Sequence, residues 1–178
     1  ILGEELELNA RVLKALTDAG VPVIFRPMHE MNTPSFWFSI AATGKTLDAS
    51  CYINAWKYIY NYFTVECGIE NMIWNYSPNQ YYSDRVSVLY CYPGDEYTDI
   101  EGIDWYTSGN YEIGKEHKPS ETLMTLGKVT NLCEGGISES LEAESFEDQR
   151  KLYSASDYWS NVERMYEDGY KIGYLLTF

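Results

Sequence analysis

Basic residues are scarce in this chain of 178 residues. It holds 13 Lys and Arg against 27 Asp and Glu, which gives a formal net charge of −14 at pH 7. A surface of that sign repels nucleic-acid phosphates and anionic lipid headgroups, so we expect neither nucleic acid nor membrane as a partner. The sequence also has no run of about 18 apolar residues, the length that a membrane-spanning helix requires. A neutral ligand is the class that these absences leave open.

Metal-binding and disulfide patterns are equally sparse. The chain has two histidines and four cysteines, and the cysteines are scattered without Cys-x-x-Cys spacing. Zinc sites draw several such ligands from short spacings, so we expect neither a metal site nor a cofactor. Free thiols are favoured for the cysteines, although the spacing alone leaves a disulfide open. No secretory leader is visible, because Ile1 is followed at once by acidic, helix-like sequence.

Aromatic residues, in contrast, are abundant. The chain has 17 Tyr, 5 Trp and 6 Phe, which make up 16% of its residues. Most such side chains pack in hydrophobic cores, while Tyr and Trp also suit the faces of sugar rings and wet clefts. The length is sufficient for one domain with a core of its own.

Helix-like and strand-like segments alternate along the chain. Apolar residues spaced three and four apart predict helices over residues 4–19, 52–63 and 158–166, with a brief helical stretch around 86–90. Short apolar runs predict five strands, at 23–28, 72–76, 100–105, 128–133 and 172–177. Strands that are apolar on both faces and alternate with helices are typical of an α/β protein with a parallel sheet.

Two α/β architectures compete for five such strands. An open doubly wound sheet would need no further residues, but it usually carries a glycine-rich phosphate loop after an early strand, and none is present. A (β/α)8 barrel needs about 250 residues, so this chain would hold about five of its eight units. The chain stops at Phe178, straight after an apolar strand and without a covering helix, as a partial barrel would.

Reactive side chains follow the predicted strands at their carboxyl ends, which form the active-site face of α/β barrels. In chain order they are Arg26, His29, Glu30 and Asn32, then Trp74 and Asn75, then Asp104, Trp105 and Tyr106, and finally Glu134. Two carboxylates on different strands suit glycoside hydrolysis, in which one is held protonated to assist the leaving oxygen and the other is ionised to attack the anomeric carbon. The alternative is that Glu30 and Glu134 begin helices, where the macrodipole favours carboxylates.

Five motifs occur in order over most of the chain. They are RPMHEMN (26–32) with FWF (36–38), IWNYSPN (73–79), YPGDEYTDIEGIDWY (92–106), NLCEGG (131–136) and YLLTF (174–178). Together they resemble glycoside hydrolase family 26, the β-mannanase family. The resemblance implies a (β/α)8 barrel with catalytic glutamates after strands four and seven, so that residues 1–178 would be a partial catalytic domain holding strands four to eight. It also implies a polysaccharide substrate and a secreted or cell-surface location.

The same resemblance implies roles for individual residues. Glu30 corresponds to the general acid/base and Glu134 to the nucleophile of a retaining mechanism, which requires carboxyl groups about 5–5.5 Å apart. His29 would help to hold the sugar and the nucleophile, and Tyr106 would hydrogen-bond the nucleophile. The other implied substrate contacts are Arg26, Asn32, Trp37, Trp74 and Phe178, the last at the position of a sugar-stacking tryptophan.

The segment after Glu30 departs from the family pattern. The family commonly has Asn-Gly-x-Trp-Phe-Trp-Trp-Gly there, whereas residues 32–39 are NTPSFWFS, so Ser35 replaces a stacking tryptophan. The leading interpretation is an endo-acting, retaining hydrolase of β-1,4-mannan. The alternatives are the same mechanism on mixed-linkage β-glucan or β-1,3-xylan, and a truncated, inactive or purely sugar-binding remnant.

Overall fold

The computed structural model describes residues 2–41, 48–80, 87–107, 119–137 and 155–177. The helices in this part of the chain are α1 (Leu2–Asp18), α2 (Ala49–Asn61), α3 (Pro119–Met124) and α4 (Ala155–Glu167). The strands are β1 (Val23–Phe25), β2 (Met72–Tyr76), β3 (Ile100–Thr107), β4 (Val129–Ile137) and β5 (Ile172–Thr177). Among these described residues, no helix is both long enough and apolar enough to span a bilayer.

All five strands run parallel, and their order in the sheet is their order in the chain, β1-β2-β3-β4-β5. Each connection therefore moves one strand further in the same direction. A doubly wound sheet reverses that direction at its switch point, so this topology excludes it. Consecutive parallel βα units are instead the building blocks of a (β/α)8 barrel.

Helix α2 has a capped first turn and one buried face. It starts after Asp48, whose side chain accepts a hydrogen bond from the backbone N–H of Ser50 at 3.0 Å and so caps the first turn. Tyr52 and Trp56, four residues apart, form its buried face. The helix continues as a π-helical turn, Tyr62–Glu66.

The ends of two strands differ from the predictions in ways that affect the candidate site. Strand β1 stops at Phe25 instead of Met28, because Met28 has a positive φ of 48° that an extended strand cannot contain. Strand β4 continues beyond the predicted stop to Ile137, since its Gly-Gly pair remains in register with β3. Glu134 is therefore held inside a paired strand and not in a loop after it.

The brief helix predicted around 86–90 is not formed in its described part, where residues 88–91 make a turn. A single 3-10 turn, Asp95–Tyr97, follows it. All four cysteines are free thiols, two of them buried (Cys91 and Cys133), one exposed (Cys51) and one intermediate (Cys67). The disulfide that the sequence left open is therefore not formed.

The helix-covered face of the sheet, called the outer face below, is an aromatic core. The ring of Trp74 on β2 lies 6.1 Å from that of Trp56 on α2 and 5.1 Å from that of Phe25 on β1. Both tryptophans are almost completely buried. Because successive residues of a strand point to opposite faces, the next residues, Arg26 and Asn75, project from the other side of the sheet, the inner face.

Candidate active site

Arg26 is the centre of a polar cluster on the inner face. Its Nη1 donates to both carboxylate oxygens of Asp104 at 2.9 Å, and its Nη2 donates to Oε1 of Glu134. The hydroxyl of Ser77 accepts from Arg26 at 3.0 Å and donates to Asp104 at 2.7 Å. One guanidinium, directly after β1, thus links β3 and β4, and with 19% of its side chain exposed it chiefly orients the two carboxylates.

Glu134 receives a donor on each carboxylate oxygen. Arg26 donates to Oε1, and the hydroxyl of Tyr106 donates to Oε2 at 3.0 Å. Burial, together with the hydrogen bond to Glu134, raises the pKa of Tyr106, so its hydroxyl remains protonated and able to donate. The two bonds fix the plane and the direction of the Glu134 carboxylate.

Asp104 lies directly opposite Glu134 in the β3–β4 pairing and is fully buried. Burial raises its pKa to about 7, although the charge of Arg26 and the hydrogen bond from Ser77 act in the opposite direction. Its carboxyl group is therefore the part of the cluster whose charge is most costly to maintain.

Glu30 lies in a strained loop after β1. Its φ of 53° falls in the left-handed region, which is costly for residues other than glycine. Its backbone N–H donates to the carbonyl of Ser77 at 2.8 Å, its own carbonyl accepts from the N–H of Thr33 at 3.0 Å, and its side-chain Oε1 accepts from the amide of Asn79. Hydrogen bonds on both sides of the residue thus maintain a conformation that the backbone alone would not favour.

His29 stands between the two glutamates. Its Nε2 lies 3.9 Å from Oε1 of Glu134, and its ring packs against Phe36 with centroids 4.6 Å apart. Burial and the charge of Arg26 lower the pKa of His29, with Glu134 and Glu30 acting against them. A neutral imidazole offers one donor and one acceptor, which suits a sugar hydroxyl.

A metal ion is one conceivable occupant of this cluster. His29, Glu30 and Asp104 each place one ligand-type atom within 4.8 Å of the other two. Both oxygens of Asp104, however, accept from the guanidinium of Arg26, whose positive charge opposes a second cation. The chemistry of the group therefore favours proton transfer over metal binding.

Two residues predicted to contact substrate lie elsewhere. Trp74 is 2% exposed and packs in the outer core, so the prediction that it lines the cleft is wrong. Strand alternation gives the inner position to its neighbour Asn75. Asn32 is buried, and its amide group donates to the carbonyl of Asn79 and accepts from the N–H of the same residue, both at 2.8 Å. It ties the loop of Glu30 to the loop after β2 and does not present its amide to a ligand.

Beside the carboxylates lies a group of three rings, Phe36, Trp37 and Phe38, named the aromatic wall here. Phe36 and Phe38 stack with centroids 5.2 Å apart, and the ring of Trp37 meets Phe38 edge-on at 5.6 Å. Trp37 is 83% exposed, an unusual state for a tryptophan in a monomer. Phe178, the other predicted aromatic contact, lies outside the described residues.

Ser77 and Asn79 belong to the cluster although the sequence analysis did not select them. Both lie in the Ser-Pro-Asn sequence that follows β2, where Asn79 forms a bridge with Asp104 of β3. Their position could have identified them as site residues, because they follow a buried strand as the other polar groups of the cluster do.

The fold and the cluster together define a class of protein. Carboxyl groups meet at the carboxyl edge of consecutive parallel βα units, with a guanidinium, an imidazole and a tyrosine hydroxyl around them and an aromatic wall beside them. This is a part of an α/β barrel with a cluster of carboxyl groups at the edge where such barrels carry their active sites. The sequence matches glycosyl hydrolase family 26 over residues 1–172, and the chain belongs to that family.

Individual relatives agree with the family. The chain is 36% identical over 138 residues to a mannan endo-1,4-beta-mannosidase A and B of Caldalkalibacillus mannanilyticus, a match that covers 76% of this chain and 26% of the relative. It is 38% identical over 142 residues to a mannan endo-1,4-beta-mannosidase of Bacillus subtilis, covering 76% and 38%. A solved mannanase structure from Bacillus subtilis superposes with a TM-score of 0.77 at 29% identity, covering 99% of this chain and 47% of that one.

The chain thus spans less than two-fifths of these curated relatives and about half of the solved structure. The family resemblance and the partial barrel predicted from the sequence are both confirmed.

Proposed function

We propose that this chain carries the catalytic centre of an endo-acting, retaining glycoside hydrolase whose substrate is β-1,4-mannan. The observation that carries the proposal is the unequal environment of two glutamates beside one histidine. Glu134 accepts from a guanidinium and a tyrosine hydroxyl, whereas Glu30 accepts from the neutral amide of Asn79. A retaining mechanism needs such a difference, because one carboxyl group attacks while the other donates a proton.

In the first step, the ionised carboxylate of Glu134 attacks the anomeric carbon. The bond from that carbon to the glycosidic oxygen breaks, and Glu30 delivers its proton to the departing oxygen. The product is a glycosyl ester on Glu134. In the second step, Glu30, now a carboxylate, removes a proton from water, the resulting hydroxyl attacks the anomeric carbon and Glu134 leaves as a carboxylate.

The surrounding residues support these steps in distinct ways. Arg26 and Tyr106 stabilise negative charge on Glu134 both before attack and on its release. His29 is within reach of Glu134 and can orient a sugar hydroxyl beside it. Hydrogen bonds to Ser77, Thr33 and Asn79 keep Glu30 in place, which limits the motion that would misalign proton transfer.

The choice of mannan comes from the relatives, which are named mannan endo-1,4-beta-mannosidases. A neutral polymer also suits an acidic protein, and the aromatic wall offers an apolar surface for sugar rings. Mixed-linkage β-glucan and β-1,3-xylan remain the second candidates, because an exposed Ser35 stands where the family pattern has a stacking tryptophan. Since such polymers lie outside cells, we propose a secreted or cell-surface location.

The test compares wild type, Glu30→Gln and Glu134→Gln at the full natural length of the protein, with the exposed Glu66→Gln as matched control. Release of reducing ends is measured from galactomannan, lichenan and β-1,3-xylan. We expect activity on galactomannan, a loss of at least about 10³-fold in both site variants and none in the control. Proton NMR is expected to detect the β-anomer as the first product. Equal activity in all four proteins refutes the proposal, and binding of polymer without turnover by wild type identifies a sugar-binding remnant.

A further inference from the structure

A second layer of hydrogen-bonded side chains lies on the inner face, next to the polar cluster. The amide Nδ2 of Asn75 on β2 donates to the hydroxyl of Tyr174 on β5 at 2.6 Å and to Sγ of Cys133 on β4 at 3.0 Å. The Tyr174 hydroxyl donates in turn to the same sulfur at 3.5 Å. Asn75 and Cys133 are completely buried. The three side chains, called the inner triad here, connect strands that are not all neighbours.

The connection crosses β3, which lies between β2 and β4 in the sheet. Gly102 of β3 supplies the necessary space, because a Cβ atom there would overlap the sulfur of Cys133 and the backbone carbonyl of Asn131. No reorientation of a flexible side-chain end could relieve the second overlap, since it involves backbone. The glycine therefore allows the thiol of Cys133 to lie across β3 and meet Asn75.

Cys133 is also the extra residue of a β-bulge. The β3–β4 register passes from Ile103↔Leu132 directly to Asp104↔Glu134 and leaves Cys133 without a partner on β3. A bulge of this kind changes the direction in which the following side chain projects. Leu132 is part of the outer core and Cys133 faces inward, so strict alternation would direct Glu134 to the outer face. The bulge instead leaves both Cys133 and Glu134 on the inner face.

We propose that the inner triad, Asn75, Cys133 and Tyr174, consists of positioning residues that hold this bulge and so direct the carboxylate of Glu134 towards Arg26 and Tyr106. The inference rests on the proposed function, in which Glu134 is the nucleophile. A hydrogen-bonded thiol cannot slip to the next register position without breaking its bonds to two other strands. Loss of these bonds lets the bulge relax and turns the carboxylate away from its donors.

The expected kinetic result differs from that of a general loss of stability. The aromatic wall, which would bind sugar, lies on the loop after β1 and is untouched by the inner triad, so KM should change little. The rate constant kcat should fall, because attack needs an aligned carboxylate.

The test uses Tyr174→Phe and Cys133→Ala in the protein at its full natural length. Cys133→Ser is the conservative variant that retains an acceptor. The matched control is Tyr76→Phe, which removes a buried tyrosine hydroxyl from the outer face, where it donates to the carbonyl of Val88 at 2.7 Å. The measurements are kcat and KM on a soluble mannan, and a crystal structure of each variant.

We expect kcat to fall about 10- to 100-fold in Tyr174→Phe and Cys133→Ala, with KM within about threefold of wild type. Cys133→Ser should recover most of kcat, and Tyr76→Phe should match wild type. Kinetics of Tyr174→Phe and Cys133→Ala that equal those of Tyr76→Phe overturn the inference. If either Tyr174→Phe or Cys133→Ala fails to fold, the kinetics of the other variant test the inference.

The crystal structures separate this inference from the proposed function. A Glu134 carboxylate that leaves Arg26 in Tyr174→Phe supports the inner triad even if the wild-type protein proves inactive on glycans. A carboxylate that stays on Arg26 in both variants refutes it, whatever the activity. Inactivity of wild type, or full activity of Glu134→Gln, counts only against the proposed function.

Discussion

The two faces of one sheet differ in almost every physical respect. On the outer face, β2 contributes Trp74 and Tyr76 to a core that includes Trp56, and each such ring contributes about 2–3 kcal/mol through burial. On the inner face, the same strands hold Arg26 and Asn75 in hydrogen-bonded networks. Buried charges and amides carry a desolvation cost that pairing only offsets. The comparison indicates that the outer face stabilises the fold, whereas the inner face holds buried polar groups at a cost in stability.

Removing a ring from the outer face should have the largest effect on stability of the changes predicted here. Trp74→Ala leaves a large cavity between β2 and α2, so the free energy of unfolding should fall by about 3–5 kcal/mol. Urea denaturation measures the loss, and Tyr166→Ala, which removes a 73% exposed ring, serves as control. Activity per folded molecule should stay near wild type. A loss of activity at full stability would show that Trp74 acts on the site.

Glu101 is an acidic residue on the largely apolar outer face, and it allows a test of what burying a carboxyl group there costs in stability. It is fully buried, with one oxygen accepting from the hydroxyl of Thr130 at 3.1 Å and the other without a hydrogen-bond partner in the described part of the chain. Burial raises the pKa of Glu101 from 4.5 to about 7, against the hydrogen bond from Thr130 and the charge of Lys128. The folded state therefore holds the proton more tightly than the unfolded state.

The contribution of Glu101 to stability is therefore greatest below about pH 4.5 and is lost as the pH rises through about 7. Glu101→Gln should remove part of this slope and raise the free energy of unfolding at pH 8 by on the order of 2–3 kcal/mol. Denaturation at pH 5 and pH 8 measures it. Part of the change in the free energy of unfolding with pH should persist in Glu101→Gln, because burial also raises the pKa of Asp104 to about 7. Identical slopes in the two proteins would contradict the expectation.

Asp104 is the corresponding buried carboxyl group on the inner face, and its replacement should affect activity instead. Asp104→Asn removes the negative charge that Nη1 of Arg26 binds, so Arg26 and Glu134 should lose their mutual alignment. We expect kcat on mannan to fall about 10- to 100-fold, whereas the free energy of unfolding at pH 8 should not fall, because Asn also removes the buried charge that a pKa of about 7 makes costly at that pH. Asp18→Asn, on an exposed helix end, is the control. A large loss of stability with unchanged kcat would reverse the assignment of the two faces.

The smallest effect is expected at the aromatic wall. Trp37 is so exposed that its replacement by alanine should change the free energy of unfolding by less than about 0.5 kcal/mol. If the ring contacts the polymer, KM should rise about two- to fivefold with kcat unchanged, because uniform binding is lost. Titration with mannan oligosaccharides measures this, and an unchanged KM would exclude Trp37 from binding.

Sequence reasoning located the strands and the polar cluster because both depend on local pattern. Five apolar runs gave five strands, and Arg26, Glu30 and Glu134 were found because polar residues follow such runs. Which face a strand residue takes was harder to predict. Trp74 and Asn75 are adjacent, and composition alone did not show that the tryptophan faces the helices.

Long-range pairing was the other feature beyond the reach of the sequence. The amide of Asn32 is occupied by the backbone of Asn79, which is distant in the chain, so a pattern at 26–32 could not exclude it from substrate binding. The bulge at Cys133 was likewise invisible, since it exists only relative to the register of β3. Local sequence placed Glu134 near the site, and strand pairing determined its direction.

The left-handed backbone at Glu30 restricts how this site can change by mutation. Glycine adopts a left-handed backbone without steric strain, so a change to glycine at such a position relieves that strain. Here the same change would delete the carboxyl group that the proposed chemistry needs. A substitution that relieves the backbone strain at position 30 would therefore also remove the proposed acid, so the stability of this loop and the proposed activity cannot both be improved there.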